Sequence, residues 1–337
     1  MPLPKVTIKE IAKLAEVSTT SVSFVLNGRN GVSAATKEKI LRVIKETGYY
    51  PNAASQRLVR RKSFNIAFIY TEDMSPFSDL FYNEVANGLV ETLTRNRYNV
   101  VFVPLQANNG DSGIPDIINK QDADGAVFLY DAPTAILDRM DGSELPYVLV
   151  DWQSAHDGRI GISLDCESAI FKAMMYLVDK GHEKIAFLGS DHLPHYYLRC
   201  FNGYQHALDE KQLPIYPGWI HNAVRDVESA AQSVEKLMGL QTPPTAVCCM
   251  GDMCAVYFLQ AAAQMGVPVP EKISVMSIDD ILLSRYAHPP LTTISYNKDE
   301  IGREAAQLLL KMLNGEPATS VVINSDTIRE RETVAVR

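Results

Sequence analysis

Residues 7–28 read TIKEIAKLAEVSTTSVSFVLNG and predict two short amphipathic helices separated by a tight turn. In the first helix, apolar residues recur at helical spacing: Ile8, Ile11, Ala12, Leu14 and Ala15. Val17 fills the turn. Ser18 then offers a side-chain oxygen to the free backbone N–H groups of a second helix over residues 19–26. This stretch therefore predicts a helix-turn-helix unit.

The second predicted helix presents a small and mostly uncharged outer face. Val22, Val25 and Leu26 point inward, which leaves an outward set of Thr19, Thr20, Ser21, Ser23 and Phe24. Side chains of this kind can enter a DNA major groove without burying an unpaired charge against the base edges. The sequence thus favours a DNA-binding unit over an ordinary surface hairpin of two helices.

Charge separates this N-terminal region, the head, from the rest of the chain, the body. A third helix is predicted over residues 33–47, with Ser33 as its N-cap and Gly48 at its end. Residues 1–62 carry 12 Lys and Arg against 4 Glu and no Asp, a net +8, so the remainder carries −16. Only the head is therefore suited to approach phosphate. Four cations at its end serve either as phosphate contacts or as a flexible connection: Arg57, Arg60, Arg61 and Lys62.

Beyond residue 63, short apolar strands alternate with amphipathic helices, which predicts parallel sheets covered on both faces. One unit contains the strands NIAFIY, NVVFVPL, GAVFLY and YVLVDW, with its first helix predicted from Phe77 to Asn96. A second unit contains KIAFLG, TAVCCMG and ISVMSI, with helices predicted over 168–180, 198–211, 226–238 and 254–265. Two doubly wound lobes in series enclose a cleft at their strand ends.

Composition and motifs favour a globular protein over a membrane protein or a common class of enzyme. A chain of 337 residues with 46% hydrophobic content supports a large buried core. No apolar run approaches membrane-spanning length and no signal segment precedes the head, so we expect a cytoplasmic protein. Motifs of nucleotide-binding enzymes, metalloproteases and hydrolases do not occur, so no catalytic residue or cofactor is expected.

Cysteine and histidine offer weaker indications of a metal site. The five cysteines include no CxxC pair, so reduced thiols are expected, and metal binding by Cys248, Cys249 and Cys254 is the alternative. His192 and His195 follow a strand three residues apart. They indicate either a metal or the polar lining of a ligand cleft. Histidines in such a loop more often line a cleft or are solvated, so we expect no metal.

Several blocks of this sequence resemble the lactose-repressor (LacI/GalR) family of bacterial regulators. They are TIKEIAKLAEVS, VSFVLNG, GVSAATKEKI and YYPN in the head, and GHEKIAFLG, PPTAV, VPEKISVMSIDD and PPLTTI in the body. The resemblance covers nearly the whole chain. It implies that the head consists of an all-α helix-turn-helix domain (1–48) and a hinge segment (49–62), followed by an α/β body (63–337) that binds an effector and dimerises.

The resemblance also implies how the body is built. Its two doubly wound parallel-sheet lobes would resemble those of periplasmic sugar-binding proteins. The chain would cross between the lobes three times, near Ile162, Thr292 and Val321.

For the head, the resemblance implies a homodimer, or a higher oligomer, on a near-palindromic operator in the bacterial nucleoid. Family members usually carry Arg at the position of Phe24. Residues 52–58 resemble a short helix that forms only on DNA, with Leu58 as a wedge between base pairs. The expected DNA contacts are Thr7, Ser18, Thr19, Thr20, Ser21, Ser23, Phe24, Asn27, Ser33, Asn52, Ser55 and Leu58.

For the body, the resemblance implies a small-molecule effector, a sugar or a nucleoside, that controls a transcriptional repressor. Asp279 matches an acidic residue that hydrogen-bonds ligand hydroxyls, and Cys200 occupies a position where Arg is common, with Arg199 beside it. The expected effector contacts are Phe77, Ser78, Trp152, Tyr197, Arg199, Asp252 and Asp279. Core packing is the alternative for each aromatic residue. The alternative function is a regulator that responds to a protein co-regulator.

Overall fold

The computed structural model describes residues 6–26, 29–49, 62–105, 113–130, 132–151, 158–191 and 193–337. The chain divides into two compact units, Met1–Ser63 and Phe64–Arg337. Some predictions fall on residues outside the described ranges: Asn27, Asn52, Ser55, Arg57, Leu58, Arg60, Arg61, Trp152 and His192.

The first unit contains the three predicted helices: α1 Ile8–Leu14, α2 Thr19–Leu26 and α3 Ala34–Thr47. Each predicted cap is confirmed. Ser18 Oγ accepts from the Ser21 N–H at 3.1 Å, and Ser33 Oγ accepts from the Thr36 N–H at 3.2 Å. Gly48 ends α3 with φ +61°, a left-handed conformation that suits glycine.

The core of the first unit lies between the three helices. Its buried residues are Ile11, Ala12, Ala15, Val22, Val25 and Ile40. Leu14, predicted on the inner face, is instead 57% exposed. The buried stripe of α1 runs through Ile11, Ala12 and Ala15, and Leu14 lies beside this stripe.

The second unit begins with one lobe whose elements follow in chain order. They are β1 Asn65–Thr71, α4 Leu80–Arg95, β2 Asn99–Leu105, α5 Asp116–Asn119, β3 Gly125–Leu129, α6 Thr134–Asp141, β4 Tyr147–Val150 and β5 Gly161–Leu164. Joined by β11 Val321–Ile323, the strands form a parallel sheet in the order β11-β5-β4-β3-β1-β2. Every residue of β3 and β4 is buried, which explains why these strands are apolar throughout.

The other lobe repeats this architecture. Its elements are α7 Cys166–Asp179, β6 Ile185–Leu188, α8 Pro194–Glu210, β7 Ile220–His221, α9 Val227–Met238, β8 Ala246–Cys249, α10 Asp252–Gln264, β9 Ser274–Asp279, α11 Leu282–Tyr286, β10 Thr292–Ser295 and β12 Ile328–Arg329. The strand order is β12-β10-β9-β8-β6-β7, with β12 antiparallel to β10. The remaining helix, α12 Lys298–Leu313, packs against α4 of the first lobe.

The predicted fold of two parallel-sheet lobes is confirmed, as are the three crossings. The chain passes between lobes at residues 164–166, 295–298 and 323–328. No helix in the described ranges is both long and apolar enough to span a membrane.

Four predicted helix starts are wrong by two to four residues. Helices α4, α7, α8 and α10 begin at Leu80, Cys166, Pro194 and Asp252. The expected starts were 77, 168, 198 and 254. For α4 the reason is a cap: Asp79 Oδ1 accepts from the Phe81 and Tyr82 N–H groups, each at 2.9 Å. The helix therefore starts after Asp79.

Helices α4 and α12 approach closely because a glycine on each helix lies against the backbone of the other helix. A Cβ on Gly302 would lie 1.9 Å from Val85 O, and a Cβ on Gly88 would lie 2.0 Å from Asp299 O. Neither oxygen can move without shifting a helix. These two glycines therefore set the distance between the helices.

We expect Gly302→Ala to lower the free energy of unfolding by about 3 kcal/mol, because the added methyl must push the helices apart. Urea unfolding measures this. The control is Gly142→Ala, where an added Cβ meets nothing closer than 3.5 Å. If both variants unfold at the same urea concentration, the close packing of α4 and α12 does not contribute as described.

Candidate functional site

The first candidate site is the outer face of α2 in the head. Thr19 and Thr20 are exposed, whereas Ser21, Ser23 and Phe24 are half-buried. A Cβ on Gly31, in the loop before α3, would lie 3.1 Å from the Phe24 ring. One edge of the Phe24 ring, at Cδ2 and Cε2, therefore lies against this loop. The outward face of α2 is small and uncharged, as predicted.

Three further residues expected at DNA have structural roles at helix N-termini. Thr7 forms a reciprocal cap with Glu10, in which the Thr7 N–H donates to Glu10 Oε2 at 2.7 Å. Ser18 and Ser33 cap α2 and α3, and all three residues are exposed. Because helix N-termini attract anions, a cap at the surface is compatible with a phosphate contact.

The second candidate site is a cavity of about 510 Å³ between the two lobes. Residues at the carboxyl ends of strands line it from both sides: Tyr130 and Asp151 after β3 and β4, and Ser190, Met250 and Asp279 at β6, β8 and β9. The floor is formed at the crossings by Leu164, Cys166 and Tyr296. This is the edge at which open α/β sheets bind ligands.

The start of α4 contributes one wall of the cavity. Asp79, Leu80, Phe81 and Tyr82 all line it. The Tyr82 hydroxyl donates to Asp151 Oδ2 at 2.6 Å, which joins the helix to the end of β4. Burial, with the nearby Asp151 carboxylate, raises the pKa of Tyr82 well above its usual range, so this hydroxyl keeps its proton.

Backbone conformation at the cavity is unusual. Tyr130, Asp151 and Asp279 have φ values of +58°, +57° and +117°. Positive φ costs energy in non-glycine residues and is concentrated at functional sites. Here it turns the chain sharply at the ends of β3, β4 and β9.

Asp279 is held by contacts that tie it to both lobes. The Lys298 ammonium, at the start of α12, donates to Asp279 O at 2.8 Å and to Asp280 O at 2.9 Å. The same ammonium lies 3.8 Å from Glu84 Oε2 on α4. Burial, and secondarily Asp252, raise the pKa of the Asp279 carboxyl well above its usual range. The turn after β9 is thereby fixed next to the crossing at residues 295–298.

Comparison with known proteins identifies the family. Residues 7–52 match the bacterial regulatory proteins of the lacI family, and residues 174–334 match the periplasmic binding protein-like domain. Over 309 residues the chain is 31% identical to the ribose operon repressor of Haemophilus influenzae, covering 91% of this chain and 92% of that protein. It is 30% identical to catabolite control protein A of Priestia megaterium, covering 94% and 96%. The chain belongs to the LacI family.

Solved structures of the LacI family share the fold. A lac repressor dimer bound to operator and the anti-inducer ONPF has a TM-score of 0.84 at 22% identity, covering 98% of this chain and 99% of that one. A complex of the regulator CelR with cellobiose has a TM-score of 0.71 at 24% identity, covering 97% and 99%. Members of the family are DNA-binding transcriptional regulators rather than enzymes.

Of the expected effector contacts that the structure describes, only Asp279 lines the cavity. Asp252 lies behind it, fully buried. Its Oδ1 accepts from Ser277 Oγ and from Thr293 Oγ1, the latter at 2.6 Å, and its Oδ2 accepts from the Ile281 N–H at 2.9 Å. Both oxygens are therefore used within the protein. Burial raises the pKa of Asp252 to about 6.

Phe77 and Ser78 precede α4 and do not reach the cavity. The Phe77 ring is 66% exposed, and its centroid lies 4.9 Å from that of Phe102 on the outer side of the lobe. Ser78 donates through its hydroxyl to Ser75 O at 3.4 Å, in the turn before the cap. Phe81 and Tyr82 occupy the place expected of Phe77 because the helix starts at Leu80, three residues later than predicted.

On α8, the residue that lines the cavity is Tyr196, a neighbour of the expected contacts Tyr197 and Arg199. Tyr196 lines the cavity and donates to Met250 O at 2.8 Å. Tyr197 packs against Phe187 and Phe201, with ring centroids 5.8 and 5.9 Å away. Arg199 is half-buried and does not line the cavity. Helix α8 begins at Pro194, so Tyr196, Tyr197 and Arg199 all lie on the helix.

Among the described residues, no group of three His, Cys, Asp or Glu side chains is arranged to hold a metal ion. The five cysteines are buried and form no disulfide. Burial raises the pKa of the Cys248 and Cys249 thiols, which disfavours the thiolate that a metal requires.

Proposed function

We propose that this protein is a homodimeric transcriptional repressor whose affinity for a near-palindromic operator is set by a small molecule bound between its lobes. The observation that carries this proposal is the presence in one chain of an exposed uncharged face on α2 and of a cavity at the strand ends of two lobes. The fold match to the operator-bound lac repressor supports the same assignment.

Two-fold symmetry follows from the size of the head. One recognition helix contacts too few base pairs to select a site in a genome, so two heads on a two-fold axis are needed. Members of the LacI family act as dimers. The body supplies the pairing surface in this proposal, and residues 49–62 act as the hinge.

Control by a ligand follows from how the lobes are connected. A ligand that contacts both lobes favours the arrangement in which its contacts are complete. The three crossings allow the lobes to change their relation, and Lys298 links the turn after β9 to α4 and α12. The relative that is a ribose operon repressor and the CelR–cellobiose structure support a small-molecule effector here.

Selection of bound sequences from a random DNA pool tests the DNA-binding part of the proposal. The full chain should recover a site with two inverted half-sites, because each head of the dimer reads one. Recovery of unrelated sequences, or of single half-sites only, would contradict a homodimer that recognises a near-palindrome.

We expect Phe24→Arg to shift the preferred half-site toward guanine at one symmetric pair of positions. Arginine reads guanine O6 and N7 through two hydrogen bonds, whereas phenylalanine offers only apolar contact, for example with a thymine methyl. The same selection measures this. Leu41→Arg, at an exposed position of α3 rather than α2, is the control. Identical preferences for the parent and Phe24→Arg proteins would refute the placement of Phe24 at the bases.

A further inference from the structure

Ionisable side chains around the cavity indicate which ligand charge it favours. Among the described residues, the carboxyl groups of Asp79, Asp151 and Asp279 line it. The cationic side chain of this described lining is Arg225, whose Nη2 donates to Asp191 Oδ1 at 2.7 Å. A ligand carboxylate or phosphate would lie beside these carboxyl groups and oppose their ionisation, whereas a ligand cation would favour it.

Three phenols of the lining act as acceptors toward a ligand because their protons are already used within the protein. Tyr82, Tyr196 and Tyr296 donate their hydroxyl protons to Asp151 Oδ2, Met250 O and Asp165 O at 2.6, 2.8 and 3.1 Å. Lone pairs of these hydroxyls remain for a ligand. Among the described residues of the lining there is no Asn, Gln or Lys, and Arg225 and Ser190 carry side-chain donors. The described lining therefore offers more side-chain acceptors than donors, which favours a ligand that donates.

A continuous row of aromatic rings forms the wall and floor on the side of α4. Successive ring centroids along Tyr296, Phe81, Tyr82 and Tyr130 are 6.2, 5.3 and 6.4 Å apart. All four residues line the cavity. Aromatic rings attract ammonium groups, and within the protein the Lys298 ammonium already lies 5.7 Å from the ring centroid of Phe81.

We propose that the cavity binds an organic cation, a protonated amine with an apolar body, and that this is the effector class of the repressor. This inference rests on the proposed function for its regulatory meaning. Asp279 and Asp151 neutralise the ammonium from opposite lobes, and the aromatic row contacts its body. A volume of about 510 Å³ accommodates a small molecule of this kind. Contact with carboxylates of both lobes closes them on the ligand.

The state of Asp279 supports this class of ligand. Its Oδ2 accepts from the Asp252 N–H at a long 3.4 Å, and the nearby Lys298 ammonium donates to its backbone oxygen. Burial raises the pKa of its carboxyl, and the pKa of Asp79 is also raised by burial. Buried carboxyls that lack a full counter-charge gain most from an added cation.

A matched panel of ligands tests the inference on the full chain. The probes are arylalkylamines, 2-phenylethylamine first, each compared with the alcohol and the carboxylate of the same skeleton; ribose and cellobiose complete the panel. Thermal shift ranks them, and calorimetry gives the affinities. At least one amine should bind roughly tenfold or more tightly than its alcohol, and no carboxylate should bind, because a charge-assisted hydrogen bond separates the first two probes.

Variants assign the binding to the cavity. Asp279→Asn and Asp151→Asn should each lower amine affinity roughly tenfold and leave alcohol affinity unchanged, since only the charge is lost. Asp116→Asn, a surface carboxylate paired with Lys120, is the control and should bind like the parent. If no amine binds more tightly than its alcohol, or a sugar or carboxylate binds more tightly than every amine, the inference is overturned.

A second measurement distinguishes a regulatory role of the amine from binding alone. Operator affinity is measured with and without the amine that binds most tightly. Sugar binding that changes operator affinity would refute the organic cation and leave the proposed function standing. Amine binding that leaves operator affinity unchanged would confirm the ligand class for the cavity but refute it as the effector.

Discussion

Deletion of residues 1–63 is expected to abolish operator binding, and the full chain should lose operator affinity steeply with salt. The head carries the basic charge, whereas the body is strongly acidic and repels phosphate. Phosphate contacts release counterions. Operator affinity should therefore fall on the order of a hundredfold or more between about 50 and about 200 mM salt. Fluorescence anisotropy of labelled operator measures both effects.

A variant of the intact chain tests the same assignment without truncation. Thr20→Glu adds a carboxylate to the exposed face of α2 and should reduce operator affinity strongly, because the charge would meet base edges and phosphate. Thr319→Glu adds the same charge to an exposed position of the body and should have little effect. Operator binding by the fragment 64–337, or equal loss in both variants, would show that α2 is not the DNA-binding element.

The second large effect concerns the response to a ligand. Asp279→Asn should leave operator binding by the unliganded protein close to that of the parent. It should remove most of the response at an effector concentration near the parent's dissociation constant, because its affinity for the effector is roughly tenfold lower. Coupling between two sites is typically 1 to 3 kcal/mol, so a change of roughly 5- to 150-fold in operator affinity would be lost. Asparagine retains the shape of the side chain and tolerates positive φ, which limits the cost to folding.

Arg199→Ala provides the comparison for this variant. Arg199 does not line the cavity, so its removal should leave the effector response unchanged. Operator titrations with and without ligand measure both variants. A response that survives in Asp279→Asn and disappears in Arg199→Ala would place the ligand away from the cavity, at the arginine that the sequence first suggested.

The helices and caps in the described part of the head could be predicted from the sequence because their signals are local. The serines that cap α2 and α3 accept backbone N–H groups three residues ahead, and Gly48 ends α3 in the conformation that glycine adopts readily. The apolar strands of the body are equally visible, since strands buried on both faces are apolar throughout.

The cavity was harder to predict because its residues come from distant parts of the chain. Tyr130 and Asp151 follow directly after apolar strands, and this position was the available signal. The helix start predicted at Phe77 falls within a turn. In this turn Ser75 O accepts from the Asp79 N–H at 2.8 Å, and Asp79 becomes the cap of α4.

Two acidic residues with similar sequence signals have different roles: Asp279 lines the cavity, whereas Asp252 lies behind it. Asp252 and Asp279 each stand beside a strand end, but Asp252 is used by the hydroxyls of Ser277 and Thr293 and by a backbone N–H. Only three-dimensional packing shows which carboxyl group is already hydrogen-bonded within the protein. Trp152, which was expected beside the ligand, stays a prediction because it lies outside the described residues.

The central claim is that one small molecule, bound between the lobes, sets the affinity of the head for its operator. The most direct measurement is an operator titration of the full chain with a ligand, at a concentration that stabilises the parent but not Asp279→Asn. We expect the ligand to change the dissociation constant for operator by roughly 5-fold or more, and to leave it unchanged in Asp279→Asn. An identical dissociation constant for the parent with and without that ligand would contradict the claim.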